Sequence, residues 1–464
     1  LIKIMKVVIV GTNHAGTVAE RTLRQLDPDL QVVTYDRNNN VSFLGCGIAL
    51  WVKGEFDDPE GLFYANPALL KREGIAVNMN HEVIKLDCRR HEITVRNLEK
   101  DCDQVVTYDK IIFALGSWPI IPPIPGIDLE GVKIVKWFQH GRIIKKANQD
   151  QSVRRIAVCG AGYIGVELVD AFAFKHKQVT LFDICDRIMP NYYDEEFTSP
   201  VEKAMKKKGV KLCLGEKVLE FKGHNGQVTE VVTDKGRYPV DMVIWSVGFR
   251  PATNVLKGQV KLSKTGAIVV DRYMNASDPD VYAIGDCIEV YENPKHAPAY
   301  IALATTALRT GIIVAMNIAK KITSSPGFQA SNAICVFGWS LSASGLSEVA
   351  CQRFNIPYDK VFIEDYDRPE FMREKFKVKF KLIWHKETRE LIGAQIGSVS
   401  NHTEVMYMLS LAIKQKLKID DVPLTDIFFL PHFNKPFNFI TKAGLKAVGL
   451  RFPEPKLRID SRDY

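Results

Sequence analysis

No two of the nine cysteines form a CxxC pair, and none falls at the spacing of a zinc site. An odd number of scattered thiols, with no secretion signal ahead of them, argues for reduced cysteines in the cytosol and against a metal centre. Long runs of one charge are missing too: Lys+Arg 62 against Asp+Glu 54 leaves a net +8. That excess is modest; it suits small anions and gives nucleic acid no basic tract to bind. A membrane span is also lacking. The most apolar stretch, IALATTALRTGIIVAMNIA (301–319), carries Arg309 and several threonines and reads as a buried helix. The opening LIKIMKVVIV has lysines inside a short apolar run and reads as a first strand, with Met5 a candidate natural start. With hydrophobic residues at 46% and charged residues at 25%, nothing calls for long disorder, and 464 residues predict two or three domains.

Two glycine loops stand out. KVVIVGTNHAG (6–16) and RRIAVCGAGYIG (154–165) share one plan: a β-branched apolar strand, a glycine turn, then a helix-compatible stretch. Glycine lets the backbone turn tightly and approach a pyrophosphate, whose charge the following helix N-terminus favours. In the second loop Gly160, Gly162 and Gly165 complete GxGxxG, and the next strand, QVTLFD, ends in Asp183 at the spacing of a ribose-binding acid. A carboxylate there repels a ribose phosphate and favours NADH over NADPH; the alternative is a solvated turn residue. The first loop keeps Gly11 and Gly16 but has Asn13 at the middle position, and its next strand, VVTYD, ends in Asp36.

Later segments extend the pattern. YDKIIFALGSWPIIPPIPG (108–126) is a strand, a glycine turn and a proline-rich connector, as where a chain leaves one domain for another. DMVIWSVGFRPAT (241–253) has the same form and would return the chain to the first domain, and DPDVYAIGDC (278–287) is a third strand, ending in Gly285 and Asp286. Beyond about residue 322 the texture changes: 376–397 reads as strands joined by a turn, then a helical stretch to about 418, a separate α+β domain.

In this order the segments resemble the flavoprotein disulfide reductase superfamily with two dinucleotide-binding domains, over essentially the whole chain. The resemblance implies an α/β fold of two Rossmann-like domains, for FAD and NADH, with a C-terminal α+β dimerisation domain. The FAD domain would take 1–120 and 246–322, the NADH domain with its connector 121–245, the dimerisation domain 323–450, and 451–464 a tail. It implies FAD contacts from Gly11, Thr12, Asn13, His14, Ala15, Gly16, Asp36, Arg37, Ser42, Cys46, Val83, Ala114, Gly116 and Lys136. Gly285, Asp286 (at the ribityl chain), Leu303, Ala304 and Thr305 would complete that site. NADH contacts are implied for Gly160, Ala161, Gly162, Tyr163, Ile164, Gly165, Glu167, Asp183, Tyr192, Gly248 and Ala302. A homodimer is implied too, with the tail domain closing over the other subunit's flavin. Phe433, in FFLPHFNKPFNF (428–439), is the expected flavin neighbour there, and His432 lies beside it.

NVSFLGCGIALW (40–51) sets the branch. Dithiol reductases carry a second cysteine shortly after the first, but five residues beyond Cys46 stands Trp51, and the next cysteine is Cys88. A lone thiol cycles between thiolate and sulfenic acid and so stores two electrons. This resembles the single-cysteine branch: water-forming NADH oxidases, NADH peroxidases and coenzyme A disulfide reductases. SFLGCG, then ALW, with GTNHAG at the start, looks most like the oxidases; coenzyme A disulfide reductases tend to have Asn where this chain has Gly45. The resemblance implies that NADH reduces FAD, that reduced flavin meets dioxygen, and that a low-pKa Cys46 thiolate, uncrowded between two glycines, takes up the peroxide. For an arbitrary cysteine the alternative is a buried, inert thiol. His14, on the first loop, is expected to be held neutral by the helix N-terminus and to bond the sulfenic acid or peroxide; a loop histidine touching phosphate is the alternative. NADH peroxidase and coenzyme A disulfide reductase stay open as enzyme readings, and a flavin-binding redox sensor as a non-enzyme one.

Overall fold

The computed structural model describes residues 4–450, so the expected tail at 451–464 lies outside the described residues. Strand β1 (Lys6–Val10) continues through the first glycine turn into helix α1 (His14–Leu26) and returns as β2 (Gln31–Asp36). β1 is Val- and Ile-rich and almost wholly buried because both of its faces are covered, as in a parallel sheet. The sheet runs Val281–Ala283, Lys110–Phe113, β1, β2 and β3 (Ala76–Met79), all parallel. The strand before AIGD therefore joins the first sheet, as the sequence implied. Helix Ala304–Ile318 packs on α1, and this is the apolar stretch expected to be buried. No helix among the described residues is long and apolar enough to cross a membrane.

The second sheet repeats the plan. Its order is Lys211–Leu214, Gln178–Asp183, Arg155–Cys159, Met242–Trp245 and Val132–Ile134, again all parallel. In each sheet a three-stranded antiparallel excursion precedes the strand that pairs with the first-loop or second-loop strand on its other side, His81–Thr107 before Lys110–Phe113 and Val218–Pro239 before Met242–Trp245. The edge strand beyond it comes from elsewhere in the chain, Val281–Ala283 in one sheet and Val132–Ile134 in the other. Both sheets belong to one compact unit, which runs to Asn191 and from Thr198 to Ala330.

The second unit takes the chain from Ser331 and also the short segment Tyr192–Phe197. Its five-stranded antiparallel sheet is ordered Asn332–Val336, Trp339–Gly345, Leu391–Ser398, Lys377–His385, Tyr358–Tyr366, with helices Val405–Lys414 and Phe439–Ala447 packed on it. The expected strand pair and following helix are there, the helix ending at Lys414. Residues 192–197 were expected within the NADH-binding stretch. They join this unit because Lys381, fully buried in its sheet, pairs with Asp194 at 3.1 Å, Glu196 at 2.7 Å and Glu348. Gln395 donates to the same Asp194 at 2.7 Å, and the Glu348 N–H does so at 3.1 Å. A buried ammonium is tolerated only with such partners.

Candidate active site

The first loop is shaped by contacts a side chain would destroy. Gly11 has φ +97°, and a methyl group there would lie 2.4 Å from the Ala114 carbonyl oxygen. A methyl at Gly16 would lie 1.9 Å from the Gly11 oxygen, so helix and turn approach only because Gly16 has none. The Thr12 N–H donates to Asp36 at 2.8 Å, and Ser42, itself at φ 58°, donates its N–H to the Thr12 carbonyl at 3.0 Å. Gly285 closes on Ala15, and Leu303 caps the helix that begins at Ala304 and Thr305.

The second loop matches it contact for contact. Gly160 has φ +104° with a Cβ position 2.4 Å from the Ser246 oxygen, and a methyl at Gly165 would lie 1.8 Å from the Gly160 oxygen. The Ala161 N–H donates to Asp183 at 2.6 Å, and Met189, at φ 48°, donates to the Ala161 carbonyl at 2.8 Å. A methyl at Gly162 would meet nothing within 4 Å. The protein's own packing does not require that glycine, whereas close approach of a pyrophosphate would. Both cradles thus fit a dinucleotide pyrophosphate, and the first tolerates Asn13 because the middle position faces outward.

Cys46 lies in the short turn Gly45–Gly47 that leads into α2 (Ile48–Lys53), and it is exposed and unpaired. All nine cysteines are free thiols. Where a dithiol would carry its second sulfur, Trp51 is buried, stacked on Phe138 at 5.6 Å, its indole N–H donating to the Asp57 carbonyl. The expected low thiol pKa is not supplied by the chain. Walls around the exposed sulfur push it up by desolvation, the Glu167 carboxylate adds to this, and only the backbone N–H groups of Cys46 and Gly47 pull it down. Nor do both flanking glycines serve the thiol: Gly47 is needed because a methyl there would strike Leu62 at 2.2 Å. Glu167 comes from helix Tyr163–Phe174 of the second loop, which packs on α2, and burial raises its own pKa to about 7. A thiol on one nucleotide domain and a carboxyl on the other therefore share a field.

His14 opens α1. Its pKa is lowered, as expected, but by burial first; Asp286 opposes this and Lys136 adds to it. Its Nδ1 lies 3.1 Å from the Tyr64 hydroxyl, with the two rings parallel within 6°. Nearby, the Lys136 ammonium donates to the Ser117 hydroxyl at 2.9 Å, which donates to Asp286 at 3.0 Å. Burial pulls Lys136 down, with Asp286 opposing. Lys136 and Asp286 were expected here, whereas Ser117 and Tyr64 were not. Ser117 merely follows the Gly116 turn and Tyr64 lies in no motif.

Of the residues expected to contact a cofactor, Thr12, Ser42 and Ala161 are fully buried beneath the loops. Ser42 instead donates its hydroxyl to the Ala65 carbonyl at 3.0 Å and accepts the Ala65 N–H at 2.8 Å. Asp36 already accepts the Thr12 and Asn38 N–H groups, as Asp183 accepts those of Ala161 and Cys185, leaving each carboxylate lone pairs for a ribose. Arg37 lies over Trp137 at 5.4 Å, and Val83 is at the core's edge. Gly248 turns at φ +116° after the strand Met242–Trp245. Tyr192 and Phe433 belong to the second unit, where Phe433 is 62% exposed beside Phe428.

Comparison with known proteins agrees with this arrangement. An "NADH oxidase" of Enterococcus faecalis is 40% identical over 445 residues, 96% of this chain and 99% of that protein. The water-forming NADH oxidase from Lactobacillus brevis, solved bound to NADH, superposes with a TM-score of 0.93 at 38% identity, covering 96% of this chain and 98% of that one. An "NAD(P)H sulfur oxidoreductase (CoA-dependent)" of Pyrococcus abyssi is more distant, 29% identical over 93% of this chain and 96% of that protein. The description "Pyridine nucleotide-disulphide oxidoreductase" matches residues 5–311, and its dimerisation domain residues 331–438. With two matched glycine cradles, and with relatives that run nearly end to end with it, the chain belongs to the pyridine nucleotide-disulphide oxidoreductase family.

Proposed function

We propose that this chain is an FAD-dependent NADH oxidase that reduces dioxygen to two waters with two NADH, and that Cys46 and His14 carry the chemistry after the first electron pair. One observation supports the reading above others: Cys46 is an exposed, partnerless thiol at the place where the two nucleotide domains meet, with buried Trp51 where a second sulfur would stand. The full-length likeness to NADH oxidases supports the acceptor. The first loop with Asp36, Lys136 and Asp286 would hold FAD, and the second with Asp183 and Glu167 would hold NADH. When bound, FAD accepts hydride from NADH and passes electron pairs on.

The residues divide the remaining work. The Cys46 thiolate attacks one peroxide oxygen; the O–O bond breaks, sulfur becomes sulfenic acid, and hydroxide leaves to be protonated to water. A second electron pair and a proton return sulfur to thiolate and release the second water. Tyr64, whose pKa is pushed up to about 12 mainly by burial, keeps its proton and can donate it to His14 Nδ1. His14 then carries its own proton on Nε2, available to the leaving oxygen. Because burial disfavours Cys46 ionisation in the chain alone, a bound cofactor or His14 must stabilise the thiolate. A homodimer is part of the proposal, supported by the exposed Phe428, Phe429, Leu430 and Phe433 in the second unit. The free thiols support a reducing compartment such as the cytosol.

An oxygen electrode with a peroxide assay tests this. Wild type should consume two NADH per dioxygen without free peroxide, and Cys46→Ser one NADH with peroxide released. Slow dioxygen use, with brisk NADH oxidation on added hydrogen peroxide, would replace the oxidase with an NADH peroxidase.

A further inference from the structure

Beneath the matched backbones of the two loops, four buried positions are polar in one and apolar in the other. Under the second loop these are Ala161, Val166, Val169 and Leu181; at the same places under the first they are Thr12, Thr17, Glu20 and Thr34. All eight are fully buried. Polar groups at such sites persist only when they bond to one another, and these do. The Thr12 hydroxyl donates to one Glu20 oxygen at 2.8 Å, and the Thr34 hydroxyl donates to the other at 2.5 Å. The Thr17 hydroxyl donates to the Thr12 carbonyl at 2.8 Å and lies 3.3 Å from the Thr12 hydroxyl. With its N–H on Asp36 and its carbonyl also bonded by Ser42, Thr12 is held through every polar atom it has.

We propose that Glu20 is a positioning residue for FAD: with Thr12, Thr17 and Thr34 it fixes the first glycine loop from below and so sets the affinity of that loop for the cofactor's pyrophosphate. It stands apart from the reading of Cys46, since it concerns only how the flavin is gripped. Ionised, Glu20 accepts both hydroxyls. Protonated, it donates to Thr12, whose own proton turns to Thr17, so the plug stays satisfied in both states. Only the ionised state places a negative charge beneath a loop that must receive a dianion.

The surroundings leave that charge uncompensated. Burial raises Glu20 to about 7; the two hydroxyls oppose this, and the carboxylates Asp36 on β2 and Glu73 after helix Pro67–Arg72 add to it. The neighbouring cation, Arg21, is taken by Glu73 in two bonds of 2.8 and 2.7 Å. Tyr64 feels Glu20 but stays neutral, and Arg309, the one charged residue of helix Ala304–Ile318, bonds its own helix at the Thr305 carbonyl. β1 brings Lys6 at its far end, and β3 brings no charge. FAD and a proton on Glu20 therefore favour each other.

The test is the FAD dissociation constant of the full-length protein, read from free-flavin fluorescence on dilution of the holoenzyme across neutral pH. Wild type should lose about fivefold in affinity from about pH 6 to about pH 8, approaching about tenfold at higher pH, the effect of a one-unit rise in the Glu20 pKa on FAD binding. Glu20→Gln, which keeps the shape and both kinds of bond, should bind with the low-pH affinity of wild type at every pH. Replacing the plug with the second loop's apolar set (T12A, T17V, E20V and T34L together) should fold and yet bind FAD about tenfold more weakly at about pH 6. The proposal is overturned if Glu20→Gln and wild type share one pH profile, or if the apolar set binds as tightly as wild type. Should the apolar set fail to fold, the Glu20→Gln profile alone decides.

Discussion

The two glycine loops are one backbone built twice. Each has a left-handed first glycine, a last glycine touching it, an acid that accepts the second residue's N–H, and a left-handed residue six places beyond that acid closing over the turn. They differ where the constraint is not internal. The outward middle position is Asn13 in one and Gly162 in the other, and four buried positions are polar in one and apolar in the other. What the fold demands of itself is the same in both loops; what varies is directed at a ligand or at the tuning of its grip. The first loop also carries His14, against Tyr64, and the Lys136–Ser117–Asp286 chain lies nearby.

The comparison can be broken most severely at the shared glycine. Gly16→Ala forces a methyl to 1.9 Å from a carbonyl oxygen and should cost more than about hundredfold in FAD affinity, seen as loss of bound-flavin absorbance. The matching Gly165→Ala should keep the yellow protein and instead abolish reduction of the flavin by NADH in anaerobic titration. Next comes stability. The folded-state pKa of Glu20 lies near 7, above its ordinary 4.5, so the native state holds a proton that the unfolded chain has already lost. Its contribution is fully present below about 4.5 and fades as pH rises to about 7. Chemical denaturation of the holoenzyme should therefore find Glu20→Gln gaining up to roughly 3 kcal/mol over wild type at about pH 8, and little at about pH 4.5. A smaller effect is expected at Gly162. Its alanine variant meets no protein atom within 4 Å and should melt like wild type while KM for NADH rises about tenfold. Smallest of all, Asn13→Gly should change FAD affinity by less than about threefold, since Asn13 caps α1 without a side-chain bond.

Features carried by short stretches of chain were open to sequence reading. Both loops, the acids Asp36 and Asp183 that follow them, the lone Cys46 and the strand before Gly285 and Asp286 follow from residues near one another in sequence. What escaped depends on distant segments or on solvation. Ser117 acts only because Lys136 and Asp286 converge on it from two other elements. Glu20 left one sign, a carboxylate on the same helical face as Gly16 and Leu23, but its partner Thr34 is on another strand. The thiol of Cys46 read as easily ionised by motif, whereas its pKa follows from what crowds it. Boundaries were least legible where the chain leaves one unit for six residues and returns.

That brief excursion makes the C-terminal unit discontinuous, and so not a portable piece. A fragment cut at Ser331 would inherit Lys381 and Glu348 but neither Asp194 nor Glu196, leaving an ammonium sealed in a sheet with a single carboxylate. Anyone exchanging dimerisation domains between relatives would have to transplant two stretches of chain as a matched set.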